Sequence, residues 1–401
     1  MIDATHLNGS SRASVPVQPR LFNLSKPPSV EAFDTLCSQP LRCDYPLASS
    51  IQSNIPIYKL PPFKSLTAEQ CSALQDEWYH ILLSGPGVFV TKGLYKDTTL
   101  LDKMNSVFSD IIAHEKQGSR SRGDHFASSG QNDRIWNSFS KHCALDPPSF
   151  LSYYSNPYLP LISSTWLGPS HRITAQVNIV KPGAAPQVSH RDYHLGFQDA
   201  VTCSQIPKAA QVATQFLTLQ GAVAHSHMPL ESGPTRLLPF SQMFEEGYMA
   251  YRLPEFRDYF LAHYVSLPLE KGDGLFFNPA LFHAAGKNES KDVMRSANLL
   301  QISSAFGKPM ETIDSLPIIE TCWNPLMKKY KVEGMSEEVR AFVAAVGDGY
   351  PFPTNLDNRA PQSGGMAPES EQDVMLGGLV SGLEKAEILD KIRRIRVDAK
   401  P

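Results

Sequence analysis

Between about residue 170 and residue 305 the chain is written as short apolar runs cut by Gly/Pro turns, and no other feature constrains its fold as much. His171 to Val180 alternates Ile173, Ala175, Val177 and Ile179 with Thr174, Gln176 and Asn178, the period of two that turns one face of a strand toward a core. Gln215 to Val223, Gly274 to Phe277 and Met294 to Ser303 are further strand candidates. Short strands at this spacing build a sandwich or a barrel.

The flanks read differently. Residues 1–60 are rich in Ser, Pro and Asn and show no sustained period, as an extension draped on the surface would. Thr67-Ala68-Glu69-Gln70 has capping-box spacing, and Cys71, Leu74, Trp78, Ile81 and Leu82 recur on one helical face. Gly85-Pro86-Gly87 ends that helix, and Val88-Phe89-Val90 follows as a buried strand. A second amphipathic helix spans about 99–115, and helices with Pro/Gly-rich loops return past about 325.

Composition excludes several classes. A formal charge of −3 leaves no basic footprint for nucleic acid. No stretch approaches the roughly twenty apolar residues of a membrane span, and the first residues lack the apolar run of a signal peptide. Six cysteines, at 37, 43, 71, 143, 203 and 322, form no CxxC pair, so reduced thiols in the cytoplasm are expected.

Chemistry concentrates at Ser189-His190-Arg191-Asp192-Tyr193. Residues two apart on a strand point the same way, so His190 and Asp192 aim an imidazole and a carboxylate at one point. Two histidines and one carboxylate on one face of an octahedron leave three positions open, the non-haem Fe(II) arrangement. The tripeptide alone is also what a surface histidine beside an aspartate gives. A third ligand comes from downstream, where Gly272-Asp273-Gly274 launches an apolar strand that ends at His283. The chain turns through 286–290 and returns with Arg295 on a strand read as paired with, or next to, the one carrying His283. An arginine in an apolar strand needs a counter-charge, either a nearby Asp or Glu or the distal carboxylate of a dicarboxylate cosubstrate whose 2-oxo acid end chelates iron.

These pieces, in order, are similar to the phytanoyl-CoA dioxygenase-like family of Fe(II)/2-oxoglutarate oxygenases over roughly residues 66–325. Besides the His190, Asp192, His283 and Arg295 segments, Glu231 to Gln242 resembles the family's N-G-x-T-x-x-x-P-G-S-H turn, with Ser232, Phe240 and Gln242 in place of Asn, Gly and His. The resemblance implies a mainly β, α+β fold: a double-stranded β-helix, or cupin-like jelly roll, with flanking helices. It divides the chain into an N-terminal extension (1–60), the oxygenase domain (61–325) and a helical C-terminal extension (326–401). It implies that His190, Asp192 and His283 ligate Fe(II), that Arg295 binds the 5-carboxylate of 2-oxoglutarate with Thr235 as a hydroxyl partner, and that O2 is the second cosubstrate. Gln176 or Asn178, on one face of an adjacent strand, reaches cosubstrate or substrate. Halogenating relatives have a small residue in place of the carboxylate, so Asp192 favours hydroxylation-type chemistry.

Other candidates surround this set. His194 keeps the parity of His190 and Asp192, and is read as a substrate contact or a support behind the ligands in preference to a spare ligand. His225-Ser226-His227 is a rival metal pair, read as a loop at the barrel mouth. Polar and aromatic residues alternate in Gly123-Asp124-His125-Phe126 and in Asn132 to Asn137, as in a lid or equally in a capped surface loop; Arg134 or Arg122 would hold an acidic group of the substrate, and Trp136 and Phe126 are read as packing residues of that segment. The expected partner is a small organic molecule, and the two terminal extensions leave room for a homo-oligomer. Two other functions fit a similar barrel: a cupin-type metal enzyme that does not use 2-oxoglutarate, and a non-catalytic jelly-roll binding protein. Arg295 speaks against the first and the complete ligand triad against the second.

Overall fold

The computed structural model describes residues 17–117, 130–192 and 194–401. Ten strands are present among them: β1 (Ser50–Gln52), β2 (Ile55–Lys59), β3 (Val88–Lys92), β4 (Asn132–Ile135), β5 (Arg172–Val180), β6 (Thr218–Ala224), β7 (Thr235–Leu237), β8 (Gly274–Phe277), β9 (His283–Ala285) and β10 (Arg295–Ser303). Eight form one sheet in the order β1-β2-β3-β8-β6-β10-β5-β4. The second sheet pairs β7 with β9, and isolated bridges extend it on both sides, His190 to His283 and Leu237 to Val265. The chain bridges to the small sheet at His190 between β5 and β6, and from β6 onward successive strands switch between the two layers, which is the double-stranded β-helix with helices packed outside it.

Alternation decides which side chains meet the helices and which meet the space between the sheets. On β5, Ile173, Ala175 and Val177 enter the helix-backed core, while Gln176, Asn178 and Val180 line a cavity. On β10, Leu300 and Ile302 enter that core, and Arg295, Ala297, Leu299 and Gln301 face the cavity. Helix Ala68–Leu83 starts in the expected Thr67/Gln70 capping box and buries Leu74, Trp78, Ile81 and Leu82. The Trp78 ring stacks on Phe89 of β3 at 5.3 Å, fixing this helix against the sheet. No described helix is long and apolar enough to cross a membrane.

Part of the segment before residue 61 is built into the fold instead of lying over it. Ile55–Lys59 runs parallel to β3 in the large sheet, and Phe33 of helix Val30–Cys37 is fully buried against Phe244, Phe256 and Phe282. A five-residue strand and a two-turn helix are too short to show a period among the surrounding prolines and serines. The pairing expected for β9 and β10 is also corrected. The chain crosses from the small sheet to the large one between residues 286 and 294, so His283 and Arg295 stand in different layers, on opposite sides of the interior.

Three histidines are buried away from the cavity. Burial holds them below the ordinary 6.5, His142 and His171 at about 4 and His225 at about 3. A base with a depressed folded value takes up protons on unfolding, so its contribution is complete above pH 6.5 and is lost as pH falls toward 4 or 3. Each costs about 1.4 kcal/mol per pH unit across that window. We therefore expect the melting temperature to fall steeply between pH 6.5 and 4, with a shallower fall in His171→Gln. A flat pH profile of calorimetric Tm over this range would contradict it.

Candidate metal centre

His190 and Asp192 lie on a stretch that continues the small sheet. The His190 amide donates to His283 O and the His283 amide to His190 O, both at 3.0 Å, so the two histidines face each other across an antiparallel bridge. Asp192 is held by its own amide on Pro279 O (2.9 Å) and by the Tyr248 hydroxyl on its carbonyl (2.9 Å). Between them Arg191 turns to the opposite face. It is buried, donates to the carbonyls of Ala280, Ser241 and Gln242, and stacks over Tyr248 at 4.9 Å. That anchor pins the alternation, and with it the side of the sheet on which His190 and Asp192 emerge.

The three ligand atoms converge. Oδ2 of Asp192 is 3.9 Å from Nε2 of His190 and 3.7 Å from Nε2 of His283, and the ligand atoms of all three residues lie within 4.8 Å of one another. Nδ1 of His190 meets Val188 O at 2.9 Å and Nδ1 of His283 meets Leu281 O at 2.8 Å. A carbonyl only accepts, so both ring protons sit on Nδ1 and each Nε2 turns a lone pair toward the carboxylate. Burial, reinforced by the neighbouring His190, holds the His283 imidazole neutral, down at about 4. Two imidazole nitrogens and one carboxylate oxygen on one side of an open cavity suit Fe(II) with free coordination positions.

That cavity, about 650 Å³, lies between the sheets. Arg295, Thr235, Gln176, Asn178, Arg134 and Trp136 line it with the triad. Arg295 is 6% exposed, and its guanidinium makes no hydrogen bond or ion pair to any described residue. Burial, with Arg236 nearby, lowers its pKa to about 10. An uncompensated charge at such depth fits an anionic ligand from the cavity. Alanines 222, 224, 285 and 297 leave space around it. Gln176 is tied up otherwise, accepting from Arg134 at 2.6 Å, and Arg134 stacks over Trp136 at 4.5 Å.

Three expectations do not meet the cavity. His194 is not among its lining residues, because the chain leaves extended geometry after Asp192 and enters a 3-10 turn at His194 with φ 26°. His225 and His227 lie past the end of β6, where strand alternation stops. His225 is buried, with Nδ1 at 2.9 Å from Asn105 Oδ1 and Nε2 at 3.3 Å from the Tyr153 hydroxyl, while exposed His227 pairs with Glu270 at 2.8 Å. They do not converge with the triad. Arg122 and residues 123–126 lie outside the described residues.

Gln220 was marked by no motif. It sits on β6, lines the cavity, and its Nε2 donates to Asp192 Oδ2 at 2.8 Å. Its one signal in the sequence is a single amide in an otherwise apolar strand. Phe240, where the resembled motif has glycine, is buried at φ 69°, and Gln242 Nε2 donates to Gly85 O at 2.8 Å.

A double-stranded β-helix with this donor set at one end of its cavity defines a non-haem iron, 2-oxoglutarate-dependent oxygenase. The sequence model of the phytanoyl-CoA dioxygenase (PhyH) family matches residues 60–297, more than half of the chain, and the protein belongs to that family. Its cofactor is Fe(II), with 2-oxoglutarate and O2 as cosubstrates. Similar solved structures include the α-ketoglutarate-dependent carbocyclase SnoK from nogalamycin biosynthesis, at 19% identity and TM-score 0.44, covering 60% of this chain and 85% of that one. The epimerase SnoN from the same biosynthesis, in complex with Fe3+, α-ketoglutarate and nogalamycin RO, is similar at 17% identity and TM-score 0.41, covering 58% and 85%. No curated protein matches the sequence.

Gln220 gives a first prediction for the site. Gln220→Leu removes the amide that orients Asp192 and should weaken divalent-metal binding about tenfold or more, read by equilibrium titration with Mn(II). Unchanged affinity would show that the hydrogen bond is incidental.

Proposed function

We propose that His190, Asp192 and His283 hold the Fe(II), that Arg295 with Thr235 receives the distal carboxylate of 2-oxoglutarate, and that the enzyme hydroxylates a small organic metabolite. The observation that carries this reading is the buried Arg295, unpartnered among the described residues, in the same cavity as the converged triad. Bound iron, 2-oxoglutarate and O2 supply an oxidant strong enough to remove hydrogen from unactivated carbon, with succinate and CO2 as co-products. The protein's own part is positional. The backbone carbonyls of Val188 and Leu281 fix the ring tautomers, and Gln220 and Tyr248 fix Asp192. Asn178 and Gln176 line the same cavity, where they can meet cosubstrate or substrate. Loss of two hydrogens, as desaturation or ring closure, is the variant outcome of the same chemistry. Scattered cysteines without CxxC spacing support action in the cytoplasm.

The test loads the protein anaerobically with Fe(II) and 2-oxoglutarate, screens small molecules, and then admits O2. The expected result is succinate formation matched by a substrate that gains one oxygen, read by mass spectrometry. Iron-loaded protein that never converts 2-oxoglutarate to succinate, with any substrate or none, would refute the reading.

A further inference from the structure

Four arginines line the cavity (Arg134, Arg252, Arg257 and Arg295), and among the described residues Asp192 is the one carboxylate that does. The proposed function accounts for Arg295 by the distal carboxylate of 2-oxoglutarate, and the charge balance of the cavity rests on that reading. Arg134 is committed to Gln176 and Trp136. With Fe(II), doubly charged 2-oxoglutarate, Asp192 and Arg295, the metal end of the cavity sums to zero. Arg252, which is exposed, and Arg257, which is partly buried, then remain without an ion-pair partner among the described residues.

Both belong to a wall that no motif marked. One nitrogen of Arg252 donates to the carbonyls of Gly196 (3.0 Å) and Gln198 (3.1 Å), and its guanidinium lies over Tyr251 at 4.6 Å. These contacts fix the fork but leave its other nitrogens without a carboxylate. Arg257, on helix Pro254–His263, has a buried Nε with no hydrogen-bond partner among the described residues. Neither forms an ion pair with a described acid, although Glu255 and Asp258 are their neighbours in sequence. Asp199, which feels the field of Arg252, is fully exposed and caps helix Ala200–Ser204.

The same wall adjoins the metal centre. A Cβ placed on Gly196 would stand 3.6 Å from Asp192 Oδ1 and 2.0 Å from Arg191 O, so glycine is what lets this segment approach the ligand. The remaining lining is mixed, with Asn178, Gln187, Ser189 and Gln301 beside a set of apolar side chains. Phe197 and Val188 stand 52% and 59% exposed among the lining residues, and Met228, Leu269 and Phe277 are buried. The volume is in the range that holds one small organic molecule beside a cosubstrate, about 300–1,000 Å³.

We propose that Arg252 and Arg257 form an acid-binding subsite, and that the substrate is a small, largely apolar molecule carrying a carboxylate or a phosphate. A guanidinium fork matches both groups in two-point geometry. The acid would be held one segment away from Asp192, which orients the apolar body toward the iron.

A matched series of probes tests this: 4-phenylbutyrate, 4-phenylbutyl phosphate and 4-phenylbutanol. Each is titrated anaerobically into protein loaded with Fe(II) and saturating 2-oxoglutarate, with binding followed by calorimetry. The visible charge-transfer band of the Fe(II)–2-oxoglutarate chelate monitors the cosubstrate site separately. We expect one or both acids to bind at least about tenfold tighter than the alcohol, and the stronger acid identifies the group. In Arg252→Gln/Arg257→Gln that preference should fall to within about twofold, while the charge-transfer band still forms at unchanged 2-oxoglutarate concentration. Equal binding of acids and alcohol by the wild type, or a preference that survives the double substitution, overturns the subsite. Wild-type protein that prefers the acid through these arginines yet gives no charge-transfer band overturns the 2-oxoglutarate reading and leaves the subsite standing.

Discussion

Asp192→Ala should bind Fe(II) about a hundredfold or more weakly and form no succinate, since loss of a direct ligand exceeds the ten- to hundredfold typical of an outer partner. Its carboxylate oxygen is the point that both imidazole Nε2 atoms face, at 3.9 and 3.7 Å, and without it two neutral donors remain. The fold should survive the change. The Asp192 amide bond to Pro279 and the Tyr248 bond to its carbonyl are main-chain contacts that alanine keeps. Circular dichroism should therefore match the wild type while metal titration and succinate assay both fail. Full turnover in this variant would remove Asp192 from the metal site.

Arg295→Met should do two opposite things. Losing the buried partner of a carboxylate costs about 2–5 kcal/mol, which weakens 2-oxoglutarate binding by roughly two to three orders of magnitude. Ligand-free protein, however, sheds a charge that is 6% exposed and unpaired among the described residues, so its stability should rise by about 1 kcal/mol or more. Methionine roughly preserves the apolar stem of the arginine. Thermal unfolding with Mn(II), with and without 2-oxoglutarate, reads both effects. The wild type should melt higher when the cosubstrate is added. The variant should start higher and not move. A variant that starts lower and still responds to 2-oxoglutarate would place the anion elsewhere.

What could be read in the sequence depends on which contacts are local. His190 and Asp192 could be seen together because a strand's period of two puts both on one face, and His283 because a Gly-Asp-Gly turn announced its strand. Arg295 showed itself as a charge within an apolar run. β7, only three residues long, had no period to show, and the crossing between sheets from 286 to 294 is set by tertiary packing. Gln220 carried no fixed spacing to Asp192, 28 positions away. Arg257 reaches the cavity because Phe256, Tyr259 and Phe260 of its helix pack in the small-sheet core with Phe33, and Arg252 stands in the turn that leads into that helix. No pattern within residues 245–263 says where that helix will dock. His194, His225 and His227 looked eligible by parity alone, and parity fails where the strand ends.

The most direct test of the central claim is anomalous diffraction at the iron edge from crystals grown anaerobically with Fe(II) and 2-oxoglutarate. One strong peak per chain is expected, within bonding distance of His190 Nε2, His283 Nε2 and an Asp192 carboxylate oxygen. A peak beside His225 or His227, or none between the three residues, would contradict it.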